Sequence, residues 1–284
     1  MFKYIGAAVG TCAEILGCDQ APDVIMQSLP ALQRQWVKTI YYPSAKRKLE
    51  AVDDLRTFSM ELATVTQQVL NAGDQFITFG GDHSCAIGTW SGVAQCYDEF
   101  GLIWIDAHLD AHTPETSLSN NPHGMPVAVL LGQGDSRLVS IGGQQPKLKP
   151  ENIILLGIRS YESAELELLG RLGVRAYQMD EINERSFASC FAEAKASFER
   201  RQLPIGISFD LDGLDPHEIA AVGTPEAQGL QLNEVIAALA TLDRQKLIGL
   251  ELTEYNPLLD TADHHAIHII KQILEAFLPD GSLL

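Results

Sequence analysis

Short hydrophobic runs alternate with amphipathic segments along most of this chain. Each run has the length and apolar character of a β-strand that is buried on both faces. The runs predict seven strands, at residues 4–9, 75–79, 102–105, 153–157, 174–177, 204–209 and 248–252.

The segments between these runs have the periodicity of amphipathic helices. Hydrophobic residues recur every three or four positions in residues 55–69, 232–239 and 267–277, and Gly73 follows the first of these segments as a typical helix stop. Regular alternation of strands and helices predicts a parallel sheet with helices on its faces. This α/β pattern fits either an open doubly wound sheet or a (β/α)₈ barrel, and we expect a single domain spanning residues 1–284.

Three segments depart from this pattern. Residues 114–126 and 132–150 are rich in Gly, Pro, Asn and Gln, and we predict that they are long loops. Residues 1–18 begin with a hydrophobic run, but Glu14 interrupts it where a signal peptide would continue. We therefore expect a first strand and a loop there.

The composition limits the class of protein. The chain has 284 residues, 37 Asp and Glu against 20 Lys and Arg, a formal net charge of -17 and 46% hydrophobic residues. This hydrophobic content excludes a wholly disordered chain, and the negative charge argues against a nucleic-acid partner. No run reaches the roughly 18 apolar residues of a membrane span, so we expect no membrane association. The five scattered cysteines are typical of reduced thiols in the cytoplasm.

Acidic residues and histidines follow four of the predicted strands. They occur at residues 82–83, 106–112, 210–215 and 254. In both candidate architectures, ligands bind at the carboxyl ends of the parallel strands. We therefore expect these side chains to converge on one rim of the sheet.

The spacing of these residues predicts a site for two metal ions. Three ligands at alternate positions of a straight strand rise by about 3.3 Å per residue and cannot all reach one ion. The backbone must bend, or the site must hold two ions about 3.5–4 Å apart. Four crowded carboxylates also need cations to balance them, and oxygen ligands with imidazoles suit Mn²⁺ better than Mg²⁺ or structural Zn²⁺. The predicted ligands are His83, Asp106, His108, Asp110, Asp210 and Asp212.

Three motifs, at residues 80–84, 106–110 and 208–216, resemble those of the ureohydrolases, the dimanganese family of arginases and agmatinases. The resemblance implies a three-layer α/β/α sandwich around a mostly parallel sheet, which favours the open sheet over the barrel. It implies two Mn²⁺ per chain, with Co²⁺ or Ni²⁺ as alternatives, and a homo-oligomer, either a trimer or a hexamer. One manganese would be held by His83, Asp106, Asp110 and Asp210, and the other by His108, Asp106, Asp210 and Asp212.

The resemblance also implies roles for residues outside the ligand set. Glu254 is similar to the carboxylate that holds the substrate guanidinium, and His123 to a histidine credited with proton transfer. Thr224 matches a motif of the site rim. A water shared by two cations has a lowered pKa, so it can attack the guanidinium carbon, a poor electrophile. Asp110 is suited to carry the proton of the nucleophile, and the products would be urea and an amine.

Among small cationic guanidino compounds, the loop after Asp110 favours arginine as the substrate. Residues 119–124 match a Ser-x-Asn-x-His-Gly arrangement of arginases, so Ser119 and Asn121 would bind the substrate α-carboxylate, which agmatine lacks. Formimidoylglutamases typically lack the His-Gly pair.

Two residues depart from the arginase pattern. His112 replaces an Asn, and Glu162 replaces an Asp that binds the α-amino group. An agmatinase or another guanidino-acid amidinohydrolase therefore stays an alternative, as does a non-catalytic ureohydrolase-like binding protein. A dimetal phosphoesterase would need basic residues to clamp phosphate, and the predicted strand ends contain none.

Overall fold

The computed structural model describes residues 1–143 and 145–278, and these contain one sheet of eight parallel strands. The spatial order is β2-β1-β3-β8-β7-β4-β5-β6. The strands are β1 (Phe2–Ala8), β2 (Trp36–Tyr41), β3 (Gln75–Gly80), β4 (Gly101–Ile105), β5 (Ile153–Ile158), β6 (Arg175–Gln178), β7 (Ile205–Asp210) and β8 (Leu247–Thr253).

All seven predicted strands are present, and the sheet is open, so the barrel alternative is wrong. The strand β2, which lies at one edge of the sheet, is not among the strands predicted from the sequence. Most of its side chains are partly or fully exposed, and Lys38 and Thr39 interrupt its hydrophobic pattern. An edge strand of this kind lacks the continuous apolar run by which the buried strands are recognised.

Helices cover both faces of the sheet and make the predicted three-layer sandwich. One face packs against α1 (Ala21–Ser28), α7 (Met179–Arg185), α8 (Phe187–Arg200), α9 (Leu232–Leu239) and α10 (His265–Phe277). The other face packs against α2 (Val52–Asn71), α3 (Ala86–Ala94), α4 (Pro126–Leu130), α5 (Ser136–Val139) and α6 (Ser163–Leu172).

The second predicted loop, residues 132–150, is only partly a loop because it contains α5. This single helical turn begins after Asp135, whose side chain accepts a hydrogen bond from the backbone N–H of Arg137 at 2.9 Å. Asp is a preferred N-cap residue because its carboxylate satisfies an N–H that the helix leaves unpaired. Across the described residues, no helix is both long and apolar enough to cross a membrane.

The topology brings the predicted site residues together. The strands β3, β8, β7 and β4 are consecutive neighbours in the middle of the sheet, and all run in the same direction. The residues that follow them therefore meet above the centre of the sheet. Gly81 lets the end of β3 approach β1, since a Cβ atom there would clash with the carbonyl oxygen of Val9.

Candidate active site

A buried histidine and three carboxylates form the first cluster. The Nδ1 atom of His83 lies 3.2 Å from Asp106 Oδ2, 3.2 Å from Asp110 Oδ2 and 2.9 Å from Asp210 Oδ2. Asp82 presents His83 by capping the short turn after β3, where it accepts hydrogen bonds from the backbone N–H groups of Ser84 and Cys12. The three strands β3, β4 and β7 thus contribute to one cluster.

A second cluster lies beside the first and shares Asp106. His108 Nδ1 lies 3.5 Å from Asp106 Oδ1 and 3.2 Å from Asp212 Oδ2. Nitrogen and oxygen atoms of Asp106, His108 and Asp212 lie within 4.8 Å of one another, as do those of His83, Asp106 and Asp210. The two groups could each hold a metal ion, with Asp106 between them.

The residues of these clusters fit divalent cations. His83 Nδ1 is buried and has no hydrogen-bond partner among the described residues, although three carboxylates surround it. A buried nitrogen without a proton-sharing partner is costly unless its lone pair binds an ion. Four carboxylates and two neutral imidazoles match two divalent ions in charge and in ligand type.

The carboxylates perturb one another strongly. Burial, and then the charge of Asp106, raise the pKa of Asp110 to about 6. Burial, and then the charges of Asp212 and Asp106, raise the pKa of Asp210. Burial alone would lower the pKa of His108, but Asp212 and Asp106 raise it well above its usual range. This is the electrostatic pattern of a site that needs positive charge.

The backbone bends sharply at two candidate site residues, one after β4 and one after β8. Asp110 has φ = 48° and Glu254 has φ = 65°, both in the left-handed region that non-glycine residues rarely adopt. The chain therefore bends after β4, which is one of the two possibilities that the ligand spacing left open. Strained residues of this kind cluster at functional sites, where the surrounding structure holds them in place.

Two neighbours hold the candidate ligands, and one of them, Trp104, is not among the residues predicted from the sequence. Trp104 Nε1 donates to Asp106 Oδ2 at 2.8 Å, and the Trp104 ring stacks on His83 with centroids 4.1 Å apart. Thr224 donates to Asp212 Oδ2 at 2.9 Å, so it contacts a candidate ligand directly as well as lining the rim. These contacts orient the ligands before any ion binds.

Glu254 lies in a buried position between His83 and His123. Its Oε1 accepts a hydrogen bond from the backbone N–H of His83 at 2.8 Å and lies 3.3 Å from His123 Nδ1. The thiol of Cys18 donates to Oε2 at 3.5 Å. Burial alone would lower the pKa of His123, but the hydrogen bond to Glu254 raises it to about 9. Burial alone would raise the pKa of Glu254, but His123 lowers it.

A cavity of about 320 Å³ opens above these clusters. His83, Asp106 and Glu254 are buried and do not line it, but each contacts a residue that does. The predicted residues that line it are His108, Asp110, His112, Ser119, Asn121, His123, Glu162, Asp210, Asp212 and Thr224.

The two residues that depart from the arginase pattern bind each other at one wall of this cavity. His112 Nε2 lies 2.6 Å from Glu162 Oε2 and 3.3 Å from Glu165 Oε2. Glu162 and Glu165 form a reciprocal capping box at the start of α6. Burial raises the pKa of Glu165 to about 7. Glu165 is not among the residues predicted from the sequence. The Glu-x-x-Glu spacing of residues 162–165 is the sequence signal that indicates it.

The predicted carboxylate-binding loop lies at the mouth of the cavity. The hydroxyl of Ser119 accepts a hydrogen bond from the backbone N–H of Asn121 at 3.2 Å. Asn121 is buried, its amide donates to Glu14 at 3.3 Å, and its Oδ1 has no partner among the described residues. The loop is therefore organised around these two residues.

Comparisons with known proteins agree with this fold. A family model described as the Arginase family matches residues 3–278. An arginase from Bacillus caldovelox is 41% identical over 218 residues, which cover 76% of this chain and 72% of that protein. The structure of the Bacillus caldovelox arginase superposes with a TM-score of 0.92, and this alignment covers 98% of both chains with 32% identity. An Entamoeba histolytica arginase in complex with L-ornithine superposes with a TM-score of 0.89, 25% identity and 98% coverage of both chains.

Proposed function

Because this chain belongs to the arginase family, whose enzymes are metal-dependent hydrolases of the guanidino group, we propose that it hydrolyses L-arginine to urea and L-ornithine. The observation that carries the proposal is the pair of His and Asp clusters that share Asp106 beneath the cavity. The alignment with proteins that are named arginase supports L-arginine as the substrate.

We propose that six residues hold two Mn²⁺ ions in this chain. The lone pair of His83 Nδ1 and the crowded carboxylates support this assignment, and Co²⁺ or Ni²⁺ are alternatives with similar ligand preferences. When bound, a pair of divalent ions supplies a water activated for nucleophilic attack. The six residues are His83, Asp106, His108, Asp110, Asp210 and Asp212.

Glu254 is the residue that we assign to the substrate guanidinium. Its carboxylate is buried, its pKa is lowered, and it therefore stays charged in a region of low dielectric, where it attracts a planar cation strongly. The backbone N–H of His83 holds Oε1, which fixes the direction of the carboxylate. A fixed guanidinium presents its carbon to the attacking water at a constant angle.

Asp110 and His123 are the residues that we assign to proton transfer. Asp110 lines the cavity, and its raised pKa near 6 allows it to accept a proton from the nucleophile and pass it to the departing amine. His123 is 19% exposed in its side chain and touches Glu254, so it can exchange protons between the site and bulk water.

Other residues that line the cavity suit the amino-acid part of arginine. Ser119 and Asn121 offer a hydroxyl and an amide to the α-carboxylate, and His112 lines the same cavity. Glu162 keeps the negative charge that an α-ammonium group requires, with 57% of its side chain exposed. The cavity thus offers neutral hydrogen-bonding groups and a carboxylate to the amino-acid part of the substrate.

The test of the proposed function is urea release from a panel of guanidino compounds. Purified protein is assayed with L-arginine, agmatine and guanidino acids, each with Mn²⁺, Co²⁺ or Ni²⁺. We expect arginine to give the highest kcat/KM. Higher activity with agmatine or a guanidino acid would favour the alternative hydrolases, and no urea from any compound would favour a non-catalytic binding protein.

The double variant Ser119→Ala and His112→Ala tests whether these two residues bind the α-carboxylate of the substrate. We expect KM for arginine to rise about tenfold or more, because two polar groups that face the carboxylate are lost. Agmatine serves as an internal control, since it has no carboxylate and its KM should change little. An unchanged KM for arginine would show that these residues do not bind the α-carboxylate.

Metal removal should lower stability more at high pH than at low pH. In the chelated protein, Asp110 has a pKa of about 6, above the roughly 3.9 of an unfolded chain. The folded state therefore binds a proton that the unfolded state lacks, and stability falls as pH rises from about 4 through 6. Above about pH 6, bound cations balance the negative charge of the carboxylates in place of protons.

Thermal unfolding with excess Mn²⁺ or with a chelator measures this effect. We expect Mn²⁺ to raise Tm by about 10 °C near pH 8, which corresponds to tight binding to the folded state alone. The rise should be clearly smaller near pH 5. An equal rise at both pH values would contradict the assigned role of the carboxylates.

We also propose that the protein is a cytoplasmic homo-oligomer, a trimer or a hexamer. The family resemblance supports the assembly, and the free state of all five cysteines supports a reducing compartment. Light scattering on the purified full chain measures the number of subunits.

A further inference from the structure

We propose that Glu251 is a positioning residue that sets the tautomer of His83 and so keeps Nδ1 free to bind a metal ion. The inference rests on the metal centre of the proposed function but not on the identity of the substrate. Glu251 lies on β8, away from the cavity, and none of the reactions described above uses it.

The Glu251 carboxylate is fully buried and surrounded by neutral donors. Its Oε2 accepts hydrogen bonds from Ser208 Oγ at 2.8 Å and from Trp90 Nε1 at 2.9 Å. The thiol of Cys85 donates to Oε1 at 3.6 Å. Within the described part of the chain, no Lys, Arg or His lies within ion-pair distance of this carboxylate. A buried acid without a cationic partner is costly, so a specific role accounts for its presence better than a contribution to stability.

The direction of the hydrogen bonds determines where the proton of His83 lies. Ser208 has a single hydroxyl proton, and it donates this proton to Glu251. Ser208 Oγ, 3.0 Å from His83 Nε2, must therefore accept a hydrogen bond from that nitrogen. In the neutral imidazole, which is the form that binds a metal ion, the proton then lies on Nε2 and Nδ1 keeps its lone pair.

This tautomer is the one that the metal cluster requires. Nδ1 is the atom of His83 that faces Asp106, Asp110 and Asp210. If the proton moved to Nδ1, the ring could no longer donate its lone pair to an ion there. The relay from His83 through Ser208 to Glu251 links the turn after β3 to the two neighbouring strands β7 and β8.

A carboxylate at position 251 maintains the direction of the hydrogen bond from Ser208. It only accepts hydrogen bonds, so the Ser208 proton always points toward it. A Gln at position 251 can instead donate its amide to Ser208, which allows Ser208 to donate to His83 and moves the ring proton to Nδ1. Carboxylates that orient metal-binding histidines in this manner typically change metal affinity about 10- to 100-fold when they are replaced.

Manganese titration of the purified, chelator-treated full chain tests the relay. We expect Glu251→Gln to weaken Mn²⁺ binding about 10- to 100-fold in calorimetric titration. Ser208→Ala should weaken binding to a similar extent, and the double variant should be no weaker than the worse single variant, because both residues act on one path. If Glu251→Gln does not fold, Ser208→Ala carries the same test.

Trp90→Phe is the matched control. It removes the other hydrogen bond to the same carboxylate oxygen and leaves the path to His83 intact. We expect it to lower Tm, because Trp90 is fully buried, while its Mn²⁺ affinity stays within about threefold of wild type. A merely structural role for Glu251 predicts instead that Mn²⁺ affinity falls in step with Tm in both variants.

Two results would overturn the relay: wild-type Mn²⁺ affinity in Glu251→Gln, or additive losses in the double variant. The proposed function fails differently. Wild-type protein that binds no divalent ion would overturn the metal centre itself. Wild-type protein that binds Mn²⁺ but releases no urea from any guanidino compound would overturn the proposed reaction alone, while the difference between variants in Mn²⁺ affinity would still support the relay.

Discussion

Replacing Asp110 with Asn is expected to lower kcat/KM for arginine by about a thousandfold or more, the size of a lost proton-transfer group. The substitution keeps the shape of the side chain but removes its charge and its ability to accept a proton. Asp110 also lies 3.2 Å from His83 Nδ1, so the same change removes a charged candidate ligand from the first cluster. We therefore expect lower metal content as well as lower turnover.

Steady-state assays and metal analysis of the same preparation measure the two losses. Asp98→Asn, at an exposed position in the loop before β4, is the control for an Asp-to-Asn change and should behave as wild type. Turnover near the wild-type level in Asp110→Asn would refute the role of Asp110 in proton transfer. Full metal content with lost turnover would separate that role from ion binding.

Replacing Glu254 with Gln is expected to lower kcat/KM for arginine about a hundredfold or more, mainly through a higher KM. The buried carboxylate is the group that we assign to the guanidinium, and leaving a buried cation without its anion costs several kcal/mol, about 3–5. The amide oxygen of Gln can still accept the hydrogen bond from the backbone of His83, so the fold of this region should survive.

The matched control for this variant is Glu226→Gln. Glu226 is 43% exposed in its side chain and lies near His108, so it contributes negative charge near the site without being buried beside Glu254. Solvent and salt screen an exposed charge, and we expect kcat/KM to change by less than about threefold. Equal losses in the two variants would show that general negative charge, and not a fixed carboxylate, attracts the substrate.

The strand cores could be predicted from the sequence because each is a local pattern. A run such as residues 102–105 is hydrophobic throughout, and this is required of a strand covered by helices on both faces. The edge strand β2 was missed for the same reason, since the exposed Lys38 belongs to a strand that is not covered in this way. The order of the strands depends on contacts between distant segments, and no local pattern predicts it.

The candidate metal ligands could also be predicted, because their spacing is unusual and four strands end in the same chemistry. The structure adds how they meet. Asp106 lies between both clusters because it follows β4, which is a direct neighbour of β7. Asp110 has a left-handed backbone, and its carboxylate lies 3.2 Å from His83 Nδ1.

By itself, the sequence determined the α/β class and identified the candidate site residues, because hydrophobic periodicity and ligand type are properties of neighbouring positions. The tertiary structure alone decided which of these residues touch. It paired His112 with Glu162 across 50 positions and placed Glu251 behind His83 through Ser208. Glu251 stands in the sequence as an acid within a hydrophobic strand, and only the packing of β3, β7 and β8 shows what its carboxylate orients.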